Sequence, residues 1–294
     1  MVKKEQNEND KIKEVLLRVF EQFRRICDEE GLRYFAIGGT CIGAVRHQGF
    51  IPWDDDIDVA MPISDLVRFV EVATQKLDKR YEIYTPFDHK HFFRPFIKLI
   101  DSETTFIEKL NVSYPDTYKG IGIDIMPMYG MPCEREKQKE MAIHNNTLIR
   151  INTRIRLSLQ MFLSLVPGVK SIVSWTICSP MRLVTDYNWA IRKSLRLYSN
   201  ISFDNSDKVL FAWRKYNTNE SKPYKSVFDF KDFSDSLEVD FENSKMRIPV
   251  GYDNYLRHDL GDYMKLPPES KRVSNHDVFV VDTDRSYRDY IGKI

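Results

Sequence analysis

The sequence has little of what marks several common protein classes. Its four cysteines, Cys27, Cys41, Cys133 and Cys178, are scattered through 294 residues without C-x-x-C spacing. That excludes a disulfide scaffold and a thiolate zinc site, and it reads as reduced cytosolic thiols used in packing. Net charge is nearly absent, with 44 Lys and Arg against 43 Asp and Glu and a formal balance of +1. Tracking a nucleic acid needs a basic face, so no nucleic-acid partner is expected. The most apolar stretch, Leu157 to Cys178, is broken by Pro167-Gly168 and Lys170. Each half falls short of the roughly 20 apolar residues that span a bilayer. No charged-then-apolar leader opens the chain; Met1 to Lys13 is polar and expected to fray, and the implied compartment is the cytoplasm. At this length the chain can bury a full core.

What the sequence does have is concentrated between Gly38 and Val59, in G-G-T-C-I-G-A-V-R-H-Q-G-F-I-P-W-D-D-D-I-D-V. Asp54, Asp55, Asp56 and Asp58 repel one another, so a fold that gathers them needs a cation for them to hold. All-oxygen ligands suit hard divalent ions, Mg2+ or Mn2+. In the expected strand Asp56-Ile57-Asp58-Val59, side chains alternate between faces, so the two aspartates share one face while Ile57 and Val59 enter the core. Asp54 has the same parity but follows Pro52-Trp53, where the chain is still turning. Asp55 has the wrong parity, and both are expected to support the site electrostatically or face solvent. A calcium loop of the D-x-D-x-D-G type would place Val59 where its turn requires glycine. A solvated acidic loop conflicts with the apolar flanks and Trp53, which is expected to pack rather than to stack a base.

A third carboxylate, Asp124, stands between Ile123 and Ile125 in the apolar stretch Ile121 to Met126, which Pro127 is expected to end. A lone buried carboxylate needs a partner or a metal, and Asp56 with Asp58 needs a third ligand. The pair Gly120-x-Gly122 precedes a strand rather than following one, so it is no dinucleotide fingerprint. His89 and His91 lack nearby acids or cysteines and are expected at a surface strand end.

These residues resemble the LicD family of phosphotransferases, which includes bacterial phosphorylcholine transferases and is related to fukutin and fukutin-related protein. The resemblance is dense over residues 34–62 and continues through Phe96-Ile97-Lys98-Leu99 and Gly122-Ile123-Asp124-Ile125-Met126-Pro127. A weaker echo follows at Gly261-Asp262-Tyr263-Met264, Pro267-Pro268 and Lys271-Arg272, where Leu260 replaces the family's usual aromatic. It implies an α/β nucleotidyltransferase-like fold, a mixed sheet with flanking helices, and a three-carboxylate metal site at Asp56, Asp58 and Asp124. It also implies transfer of a phospho-alcohol from a CDP-linked donor to a glycan or lipid-linked glycan. On that basis Gly38, Gly39 and Thr40 are expected to bind the donor's phosphates. Arg46 and Lys98 are expected to neutralise charge on phosphate, unless Arg46 instead pairs with the aspartates. A nucleotidyltransferase proper, releasing pyrophosphate, would use the same carboxylates. A binding protein on this fold would be expected to have lost one of them.

Along the chain, Ile12, Val15, Leu16, Val19, Phe20, Phe23, Ile26 and Cys27 follow helical spacing, and Gly31 supplies a C-terminal cap. Tyr34 to Ile37 reads as a strand, Thr40 to Arg46 as a short helix and residues 65–77 as a helix capped by Ser64. Tyr81 to Tyr84 and Phe93 to Ile100 read as further strands. The expected organisation is an amphipathic helix over 1–30, a catalytic core over 31–134, a helical basic subdomain over 135–240 and a C-terminal segment over 241–294 that completes the site. Residues 142–200 set Arg150, Arg154, Arg156, Lys170, Arg182, Arg192, Lys193 and Arg196 against Asp186 alone. Two buried helices with a basic outer face account for this, as does a broken apolar hairpin resting peripherally on the inner face of the membrane.

Overall fold

The computed structural model describes residues 2–89, 91–92, 94–112, 114, 117–156, 168–178, 180, 188–199, 201–211, 226–274 and 276–293. Its first element, helix α1 (Val2–Glu30), runs from the second residue, so the polar start does not fray as expected. Asn9 and Lys13 explain why: both donate side-chain hydrogen bonds to the carbonyl of Pro52, at 3.2 and 2.9 Å, in the acidic loop. The apolar stripe from Ile12 to Cys27 is buried. Phe23 meets the rings of Tyr34 and Phe69, each at 5.0 Å between centroids and edge-on, a geometry that aromatic quadrupoles favour. Gly31, at φ +65°, ends the helix.

The core is a mixed seven-stranded sheet flanked by helices, the α/β class expected. Strands β1 (Phe35–Ala36), β2 (Asp58–Pro62), β3 (Tyr81–Tyr84), β4 (Ile97–Asp101) and β6 (Ile121–Met131) lie in the order β1-β2-β6-β4-β3. Helix α3 (Ile63–Lys76) follows β2, with Pro62 at its N-cap and no side-chain cap, so Ser64 lies inside the first turn rather than capping it. Among the described residues only β2 and β6 pair in parallel. Pro127 does not end β6. The Asp124 amide donates to Ile57 in the direction of β2, so by alternation the missing N–H of Pro127 faces the other side. There β4 pairing stops at Ile125 and β7 (Lys208–Phe211) takes over from Met128, so no ladder bond is lost.

The stretch expected to be helical over 135–240 is mixed. Helices α4 (Arg135–Arg156), α5 (Val169–Cys178) and α6 (Trp189–Tyr198) give way to β7 and β8 (Val227–Asp229), which extend the central sheet. Residues 157–167, half of the expected apolar hairpin, lie outside the described residues, as do Arg182 and Asp186. A hairpin of β9 (Ser236–Phe241) and β10 (Ser244–Pro249) precedes helix α7 (Tyr252–Leu260). Strand β11 (Val278–Asp282) then returns to pair with β5 (Thr105–Glu108). Cys27 and Cys41 are packing residues as expected, but Cys133 is exposed and donates to Asp207. His89 is half-buried in the β3–β4 connection, stacked on Tyr84 at 4.3 Å, and burial lowers its pKa.

If α1 is part of the core rather than an appendage, Phe23→Ala should cost about 3–5 kcal/mol of unfolding free energy. Denaturant melts give the measurement; a loss under about 1 kcal/mol would mean that the helix docks without supporting the sheet.

Candidate active site

The site grows from the short connections on either side of β2. Strand β1 delivers Gly38 at φ +53°, a conformation that side-chain-bearing residues seldom adopt. Next to it a Cβ on Gly39 would lie 2.5 Å from Asp54 Oδ2, so the chain approaches the acidic loop as closely as glycine permits. Helix α2 (Gly38–Ile42) continues into a π-helical turn over Gly43–His47. Thr40 is buried, and its Oγ accepts the backbone N–H of Asp58 at 2.8 Å. The Gly38 N–H donates to Tyr255 Oη at 2.9 Å. These two residues, expected to bind phosphate, therefore fasten the turn to β2 and to α7.

Asp58 and Asp124 are direct neighbours in the parallel β2–β6 register, so their side chains leave the same face of the sheet. Asp56 precedes β2 rather than lying in it, yet the alternation persists: Ile57 and Val59 are fully buried while Asp56 and Asp58 are partly open. Lys98 is the cross-strand partner of Asp124 on the other flank, and its ammonium reaches Asp124 Oδ1 at 2.5 Å. It also lies 4.8 Å from the centroid of Tyr118. Tyr118 donates to Glu108, which lies 3.5 Å from Arg94. Asp56, Asp124, Lys98, Tyr118, Glu108 and Arg94 line a small polar cleft of about 80 Å³.

Burial dominates the electrostatics. It pushes the Asp58 carboxyl well above the usual carboxylate range, and the charges of Asp56 and Asp124 add to the rise. Asp56 rises for the same first reason, although His276 opposes it. Asp54 is pushed up to about 7 by burial and by the charges of Asp56 and Asp55. Burial works against the Lys98 ammonium, but Asp124 and Tyr118 outweigh it and hold the lysine charged. A carboxylate group kept partly neutral by its own repulsion has the donor chemistry for a hard divalent cation, which would relieve that repulsion. Among the described residues no three His, Cys, Asp or Glu side chains form a ready-made cage. Lys98 occupies one oxygen of Asp124, so loading a metal requires these side chains to re-aim.

Two residues that the sequence did not single out complete the cluster. His276 bonds Asp55 through Nδ1 at 2.9 Å and approaches Asp56 through Nε2 at 3.9 Å. Ser274 donates to the other oxygen of Asp55 at 2.7 Å. Burial raises the Asp55 pKa, but His276 and Ser274 outweigh it and leave the carboxyl below its usual range. Asp55 is thus neither solvated nor idle; it anchors the C-terminal segment. No local pattern in the sequence announces Ser274 and His276, because they meet Asp55 from more than 200 residues away. Arg46, expected to neutralise phosphate or to pair with the aspartates, instead donates to the Tyr263 carbonyl and to His47. Trp53 packs against the core, with the Arg272 guanidinium 5.6 Å from its ring centroid.

Comparison with known proteins fits this geometry. Residues 31–155 match the nucleotidyltransferase domain described as LicD/FKTN/FKRP. The chain is 28% identical over 275 residues to the lipopolysaccharide cholinephosphotransferase LicD of Haemophilus influenzae, covering 89% of this chain and 93% of that protein. Residues 31–155 thus carry a LicD-type domain. A shorter stretch of 68 residues, 23% of this chain and 22% of the relative, is 32% identical to an uncharacterised protein of Rickettsia typhi. Within the LicD-type domain lie all of Gly38, Gly39, Thr40, Arg46, Asp56, Asp58, Lys98 and Asp124. Ser274 and His276 lie outside it and reach the carboxylates through the fold.

Removing one of the crowded charges should stabilise the metal-free protein. A carboxyl raised from 3.8 to about 7 destabilises the fold as pH climbs between those values, because the unfolded chain ionises first. Asp54→Asn should therefore melt at a higher temperature than the parent at neutral pH, with the gain vanishing near pH 4. Melting curves across that range test it, and a gain that persists unchanged at acid pH would contradict the assigned cause.

Proposed function

We propose that this phosphotransferase moves phosphocholine, or a closely similar phospho-alcohol, from a CDP-linked donor to a hydroxyl of a cell-surface glycan or its lipid-linked precursor, releasing CMP. The observation that carries the reading is the parallel pairing that sets Asp58 beside Asp124 on one buried face, with the Lys98 ammonium against them. The name of the relative that spans most of the chain, a lipopolysaccharide cholinephosphotransferase, supplies the substrate class.

Asp56, Asp58 and Asp124 would hold Mg2+ or Mn2+, which supplies Lewis-acid stabilisation of charge on the phosphoryl oxygens. The chain's own residues do the rest. The acceptor oxygen forms a bond to the phosphorus that bears the alcohol, and the bond from that phosphorus to the CMP oxygen breaks with its electron pair. Lys98 keeps a fixed positive charge beside the carboxylates and can follow the negative charge as it moves to the leaving phosphate. Once Lys98 has moved off Oδ1, Asp124 has one oxygen for the cation and can take the proton of the acceptor hydroxyl on the other. Thr40 and Tyr255 keep the turn and β2 in register, so Asp58 is held to the face it needs.

Purified protein with Mg2+, CDP-choline and a glycan acceptor should release CMP and no pyrophosphate. Asp58→Asn and Lys98→Met should each lower kcat by at least about a hundredfold without unfolding the protein. Pyrophosphate release from CTP would replace this reading with nucleotidyl transfer, and full activity of Asp58→Asn would remove the carboxylate site altogether.

A further inference from the structure

Helix α5 presents its apolar side to solvent. Val169, Ile172, Val173 and Ile177 recur at the i, i+3, i+4, i+8 spacing of a single helical face. They are 76%, 40%, 54% and 71% exposed. In a water-facing helix this stripe would be polar; a stripe so regular on a core-facing helix would be buried. Within it the Thr176 hydroxyl donates back to the Ile172 carbonyl at 2.9 Å. Among the described residues no helix is long and apolar enough to cross a bilayer.

What surrounds the stripe selects its occupant. Helix α4 packs against both α5 and α6, so basic side chains of α4 and α6 belong to the same subassembly as the stripe. Arg150, Lys193 and Arg196 are exposed there, and Arg192 is half-buried. Over residues 142–200 eight Lys and Arg face one acid, in a chain whose overall charge is close to zero. A second copy docking through the same face would bring these like-charged flanks together. An acidic lipid surface meets both requirements, taking the apolar stripe at the boundary of headgroups and acyl chains and the cations at the headgroups.

We propose that α5, flanked by the basic faces of α4 and α6, is a peripheral membrane-docking element that binds anionic phospholipid surfaces. This inference does not depend on the reaction proposed above; it would place the site next to a bilayer whatever phospho-alcohol is moved.

Cosedimentation of the full chain with vesicles of equal parts phosphatidylglycerol and phosphatidylethanolamine tests it. Binding should be present at about 0.15 M salt and largely lost at about 1 M, where charges are screened. The double variant Ile172→Glu with Ile177→Glu should weaken binding about tenfold or more, and so should Lys193→Gln with Arg196→Gln. Both alter exposed side chains and should keep the parent's circular dichroism and its rate on soluble substrates. Absence of vesicle binding by the folded parent would overturn the proposal. So would binding unaffected by either variant, or a concentration-dependent dimer that the Ile172/Ile177 variant abolishes while vesicles are ignored.

Discussion

The parallel pairing of β2 with β6 is the constraint on which the site depends. In a mixed sheet whose other contacts among the described residues are antiparallel, this ladder sets Asp58 directly beside Asp124 and orients both to the same face. Two ionisable groups brought together by backbone hydrogen bonds cannot separate without breaking the sheet, so the repulsion between them is built into the fold. Burial then raises the cost of ionisation, and the cluster is left seeking positive charge. Lys98 meets part of that demand from the other flank of β6. The arrangement that weakens the metal-free fold is also the one on which the proposed cation and phosphate chemistry rests.

The C-terminal fifth of the chain is bound into this centre rather than attached to its edge. Tyr255 accepts the Gly38 amide, Tyr263 offers its carbonyl to Arg46, Arg272 lies over Trp53, and Ser274 and His276 hold Asp55. Strand β11 then locks the segment in place against β5. Each contact joins residues separated by roughly two hundred positions or more, except the strand pairing, whose span is shorter. Loop 46–56 is therefore held from two sides, by α1 through Lys13 and by this returning segment. An acidic loop under internal repulsion needs such clamps to keep one conformation.

The helical region beyond β6 follows a different logic. There the apolar residues Val169, Ile172, Val173 and Ile177 of α5 are exposed to water. In a nearly neutral chain, the excess of positive charge over residues 142–200 is what the proposed docking on an anionic surface draws on.

Much of the site was legible in the sequence because it depends on local pattern. Alternation of Asp56-Ile57-Asp58-Val59 assigns each side chain to a face, and an aspartate amid isoleucines at 123–125 declares a buried charge that needs an explanation. The helical stripe of α1, the bounds of β3 and the mixed α/β class follow from the same periodicities. The resemblance to the LicD family rests on these residues too, and it supplied substrate chemistry that spacing cannot. Tertiary structure alone decided which distant partners arrive. Arg46 turned to a carbonyl instead of a carboxylate, Thr40 became a brace for β2, Asp55 acquired His276 and Ser274, and β6 ran through Pro127 because its neighbour changed there. The physical reason is that side-chain direction repeats along the chain and can be read from it. Hydrogen-bond partners and desolvation depend instead on which segments the sheet and its returning strand bring together.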